Sequence, residues 1–161
     1  MRTLWVTVVL LSGTGSFAGD LPSVEPCGYH VPNNEIVFTL EVIVALTRSH
    51  TTFTLCPRRH TVPGFLLVDR VNPEQTARIL LDDTSYVNLL DRFQRALAAR
   101  TNDRSTFADG SNWCVGTVSG MESCFATPEA RTQQRGLDAV TELGAELTRI
   151  SGVKNATLLD Q

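Results

Sequence analysis

Cys27, Cys56, Cys114 and Cys124 all lie downstream of an N-terminal stretch that reads as a cleavable secretory leader. In an oxidising compartment an even number of cysteines forms bridges, so the chain is expected to be a small domain stapled by cystines. Arg2 supplies a basic start, Leu4 to Leu11 is an apolar run, and Ser16-Phe17-Ala18 places small residues where a signal peptidase reads, with cleavage after Ala18. The apolar run is far short of the roughly 20 residues that span a bilayer. Residues 1–18 are therefore read as a signal peptide and 19–161 as one domain, with 126–161 as a C-terminal tail that frays unless a partner holds it. No later stretch is apolar enough to span, so any membrane association is expected to come through a partner.

Four cysteines allow three connectivities, and the sequence does not choose among them, although proximity favours Cys27 with Cys56 and Cys114 with Cys124. A different chemistry competes for the first pair. Cys27-x-x-His30 and Cys56-x-x-x-His60 approach the ligand spacing of a structural zinc site. An oxidising compartment favours cystine over thiolate, and Pro57 with Arg58 and Arg59 crowds the second half-site, so no metal and no cofactor is expected. His50 sits in a Ser/Thr-rich stretch and reads as a turn or an exposed strand end.

Ile36 to Leu46 is the most apolar stretch of the mature chain and is rich in β-branched residues. Its weak alternation suggests a strand covered on both faces, with a helix from Asn34 as the competing reading. Thr47 to His50 turns the chain, Thr51 to Cys56 returns as a strand carrying Phe53 and Leu55, and Phe65 to Val68 forms a third short strand. At Asn72-Pro73 a helical pattern begins: Asn72 can cap, Pro73 suits the first helical position, and Gln75 completes a capping box ahead of Ala77, Leu80 and Leu81. Asp82-Asp83-Thr84-Ser85 interrupts and recaps it. Tyr86, Leu89, Leu90, Phe93, Ala96 and Leu97 then follow the i, i+3, i+4, i+7 spacing of a core-facing helix.

Thr101 to Asn112 is polar and reads as a loop, and Cys114 to Cys124, enclosing Gly116 and Gly120, as a small stapled hairpin or turn. Thr127-Pro128-Glu129 opens a last helical pattern carrying Leu137, Val140, Leu147 and Ile150, which Gly136 and Gly144 are expected to weaken by about 1 kcal/mol each. Asn155-Ala156-Thr157 is an N-glycosylation acceptor, whereas Asn112-Trp113-Cys114 fits only a rare cysteine form of the motif. The whole reads as α+β: a small disulfide-stapled domain with two or three short strands followed by two or three helices.

A net charge of −3 and a pI near 5.6 supply no basic field for phosphate backbones, so nucleic acid is not an expected partner. No nucleophile elbow, zinc-protease helix or phosphate loop is present, and the Asp82-Asp83 pair reads as compensation of a helix dipole, so no catalytic residues are assigned.

The landmarks also form an ordered set: Pro26-Cys27, Cys56-Pro57, Val71-Asn72-Pro73, Leu81-Asp82-Asp83-Thr84-Ser85-Tyr86, Arg92 to Leu97, and the close pair Cys114 and Cys124. In this order and spacing the chain resembles glycoprotein L of the alphaherpesviruses from about Pro26 to Cys124. The stretch from Cys56 to Asn72 is shorter here and lacks a tryptophan-bearing hairpin, and the residues after Cys124 match nothing in that pattern. The resemblance implies the bridges Cys27 to Cys56 and Cys114 to Cys124. It implies an envelope subunit that forms a heterodimer with glycoprotein H, supports its folding and transport, reaches the virion envelope through it, and acts in membrane fusion with glycoprotein B. It also places the partner interface around the first bridge, at Ile36, Phe38, Leu40, Val42, Val44, Phe53 and Leu55. A secreted cytokine-like ligand or decoy for a host receptor is the alternative that size and staples equally allow.

Overall fold

The computed structural model describes residues 26–32, 35–99 and 110–153. Six strands form one antiparallel sheet: β1 (Phe38–Val44), β2 (Ser49–Cys56), β3 (Phe65–Val71), β4 (Gln75–Leu80), β5 (Ser111–Thr117) and β6 (Glu122–Ala126). Three helices accompany them: α1 (Asp83–Leu97), α2 (Thr132–Arg135) and α3 (Asp138–Ser151). The strand order is β4-β3-β2-β1-β5-β6. Sequential hairpins make β1 to β4 and again β5 to β6, while α1 carries the chain back so that β5 lies beside β1. The α+β class is as expected, but the sheet has six strands where two or three were anticipated.

Alternation sets the two faces. Phe38, Leu40, Val42 and Val44 of β1 are buried, whereas Thr39 and Glu41 are half-buried and Ile43 is exposed. β1 is therefore covered on one face, not two; its weak alternation arises because an apolar residue, Ile43, stands on the open side. The registers Phe38↔Leu55 and Leu40↔Phe53 put Leu55 and Phe53 on the covered face. There Leu89, Phe93 and Ala96 of α1 and Val140, Leu143 and Leu147 of α3 close a single core with Leu66, Val68, Trp113, Val115 and Phe125.

The principal departure is β4. Asn72 caps no helix: it takes φ +63° and its side-chain amide donates to the Thr47 carbonyl at 2.7 Å, tying the β3–β4 turn to the β1–β2 turn. Gln75 is the first residue of a strand. The helical reading of Ala77, Leu80 and Leu81 overlooked a competing period of two, Ala77, Ile79 and Leu81, all of which lie on the core side of β4 or just beyond it. Pairing of Leu66 with Ile79 and of Val68 with Ala77 decides between the two, because that ladder satisfies backbone groups and buries the alternate residues together.

Asp82 caps α1 as its sequence suggests, accepting from the Ser85 backbone N–H at 2.8 Å and from Ser85 Oγ at 2.9 Å. Those bonds hold its carboxyl below the ordinary carboxylate range. Because the folded state lowers this pKa, the stabilisation is complete above the unfolded value of about 3.9 and is lost as pH falls through the folded one. Asp82→Ala should accordingly lower the melting temperature at pH 7, with the gap to the parent narrowing below about pH 4. Circular-dichroism melts across that range check this; a gap independent of pH would remove the cap from the account.

Of the stretch read as a tail, residues 126–153 are folded onto the domain, and 154–161 lie outside the described residues. Arg135 donates to the carbonyls of Ala126, Thr127 and Ala130, Gly136 ends α2 at φ +69°, and Leu137 then begins a buried series that runs through α3 to Val153. Arg92 and Arg95 of α1 each approach Glu142 of α3 at 3.6 Å. Gly144 is not a weakness in α3: Trp113 of β5 lies against it where a Cβ would stand.

Candidate partner interface

The uncovered face of the sheet is closed at one end by the chain itself. Cys27 and Cys56 are joined, with Cα atoms 5.7 Å apart, and this bridge draws residues 26–32 over β2 and β3. Cys27, Val37, Cys56 and Phe65 are buried together, with Tyr29, Val31, Val62 and Leu67 packed against them. The Tyr29 ring meets Phe65 edge-on at 6.1 Å, its hydroxyl donates to the Pro57 carbonyl, and burial pushes that hydroxyl's pKa up. Arg78 lies over the other aromatic surface, 3.8 Å from the Phe65 centroid.

A cleft of about 440 Å³ at this end is lined by Glu35, Arg58, Arg59 and His60. Its arginines are engaged: Arg59 pairs with Glu35 at 3.1 Å and donates to the His30 carbonyl at 2.8 Å, and Arg58 pairs with Asp83 at 2.8 Å. The zinc alternative falls here, because both thiolates it needs are joined in the cystine. Cys114, Glu122 and Cys124 also come within 4.8 Å of one another, but those two sulfurs are likewise joined.

Beyond the first bridge, none of the described residues covers the outer face. One cross-strand row runs Val71, His50, Ile43, Asn112, with Val71 58% and Ile43 41% exposed. Leu46, in the adjoining turn, is 73% exposed. The next row runs Asp69, Thr52, Glu41, Cys114, Cys124. His50 Nε2 stands 3.7 Å from Glu41 and 3.4 Å from Thr52 Oγ1, so polar groups flank the apolar ones. Exposed apolar side chains interleaved with polar ones on an open sheet face suit contact with another protein, and the face has none of the enclosure that a small-molecule site needs.

Of the seven residues assigned to the interface from sequence, six lie on the covered face of the sheet. Phe38, Leu40, Val42, Val44, Phe53 and Leu55 are all within the chain's own core, covered by α1 and α3, and present no surface in this fold. Ile36 alone is exposed. Ile43, His50 and Val71 face outward, which hydrophobicity alone does not signal but strand parity does: alternate positions from the polar Thr39 and Glu41 lead to Ile43. Asn155 and the leader at 1–18 lie outside the described residues. Among the described residues no helix is long and apolar enough to cross a membrane. Comparison with protein-family models, with curated proteins and with solved structures returns no match.

Proposed function

We propose that this chain is a non-enzymatic envelope subunit of the glycoprotein L type, which binds glycoprotein H, supports its folding, transport and display, and acts with glycoprotein B in membrane fusion during infection. The reading rests on the ordered sequence landmarks, and the observation that carries it is the one-sided sheet. Its open face bears Ile43, Val71 and Leu46 beside His50 and Glu41, next to the segment that the first bridge pins down. Glycoprotein H would cover that face, and the subunit would reach the membrane only through it.

Co-expression tests the reading. Alone, the chain should be released into the medium; with glycoprotein H it should be retained at the cell surface. Ile43→Asp combined with Val71→Asp should reduce that retention about tenfold or more, since two charges would be buried unpaired, while leaving the melting temperature of the free chain unchanged. Release of a monodisperse chain with no affinity for glycoprotein H would overturn the proposal, and normal retention of the double variant would move the interface elsewhere.

A second reading, a secreted ligand or decoy for a host receptor, draws support from the closed core: the chain's own helices cover the apolar strands, as a domain that folds alone requires. Saturable binding to cells that lack the viral partner would favour it.

A further inference from the structure

The two bridges have the same chemistry and different surroundings. Cys27 is 5% and Cys56 0% exposed inside the smaller core, so no thiolate reaches either sulfur in the folded chain. Cys114 and Cys124 pair directly across β5 and β6 on the uncovered face, where β6 is an edge strand with β5 as its one neighbour. Cys114 is 7% exposed, whereas Cys124 is open to solvent. We propose that the Cys114–Cys124 bridge is a thiol–disulfide exchange site, entered at Cys124 by an external thiol that carries no negative charge apart from its attacking sulfur.

The step balances without an added oxidant. The thiolate forms a bond to Cys124 Sγ, the Cys114–Cys124 bond breaks, and its electron pair leaves on Cys114 Sγ; the products are a mixed disulfide at Cys124 and a thiolate at Cys114. A second thiolate of the same reagent then attacks the reagent's sulfur, freeing Cys124 and leaving the reagent oxidised. Two neighbours act on this step in opposite senses. Asn112 Nδ2 donates to Cys114 Sγ at 3.5 Å and stabilises the leaving thiolate. The Glu122 carboxylate, within 4.8 Å of both sulfurs, repels an anionic attacker, and this sets the preference for neutral or cationic thiols.

The oxidised full chain, treated under native conditions with cysteamine or with glutathione, quenched by alkylation and mapped by mass spectrometry, tests the site. Cys114 and Cys124 should be labelled at least about tenfold faster than Cys27 and Cys56, with the trapped mixed disulfide on Cys124. Glu122→Gln should speed glutathione about threefold and cysteamine less. Equal opening of both bridges, or capture of the reagent on Cys114, would overturn the site; an unchanged glutathione rate in Glu122→Gln would overturn the charge selectivity.

Discussion

Gly144→Ala should lower the unfolding free energy by about 2 kcal/mol or more, against the gain of about 1 kcal/mol that helix propensity assigns to the same change. The added Cβ would stand 2.3 Å from Trp113 Cζ3 and 2.5 Å from Cη2. Trp113 has little room to yield: it is 2% exposed, and its indole N–H donates to Ser111 Oγ at 2.9 Å, which in turn donates to Glu129 at 2.7 Å. Relief would have to come from tilting α3 off the sheet and opening the contacts of Val140, Leu143 and Leu147. Denaturant unfolding checks the sign directly. Trp113→Phe removes the two clashing atoms, so the double variant should show a coupling of about 1 kcal/mol or more. A stabilised Gly144→Ala would mean that α3 does not approach β5 as closely as described.

Cys27→Ala should cost more than Cys124→Ala, both in stability and in partner binding. On the chain-entropy model the first bridge, with a sequence separation of 29, contributes about 3.6 kcal/mol, and the second, with a separation of 10, about 2.7. The structure widens the difference. Breaking the first bridge frees residues 26–32 from Phe65 and leaves the Cys56 thiol in an apolar pocket, while the second staples two strands already held by a ladder. Melts of each variant, together with co-immunoprecipitation against glycoprotein H, measure the two effects. Equal or reversed losses would show that the first bridge does not organise the binding face.

Where a single period dominated, the sequence was legible. The stripe from Tyr86 to Leu97 and the cap at Asp82 gave α1 almost to the residue, and β1, β2 and the stapled hairpin followed from β-branched runs and cysteine proximity. Gln75–Leu80 was not legible, because it carries both periods and only the neighbouring Leu66 and Val68 break the tie. The candidate surface was hidden for a related reason. By hydrophobicity alone the apolar residues of β1 and β2 read as outward, whereas they belong to the core that α1 and α3 close with the sheet. The packing that encloses them, Phe93 on Phe38 and Gly144 against Trp113, joins residues far apart in the chain and is invisible to local propensity.

The strand order also dictates a sequence of events during synthesis. β1 to β4 form a meander of neighbouring hairpins and can assemble as they emerge, whereas β5 must travel back to the far edge of β1, and α3 is made last. Until α1 and then α3 have emerged and packed, the meander displays Phe38, Leu40, Phe53 and Leu55 to its surroundings. A nascent chain halted in that interval is the form most exposed to aggregation, even though the folded domain conceals every one of those residues.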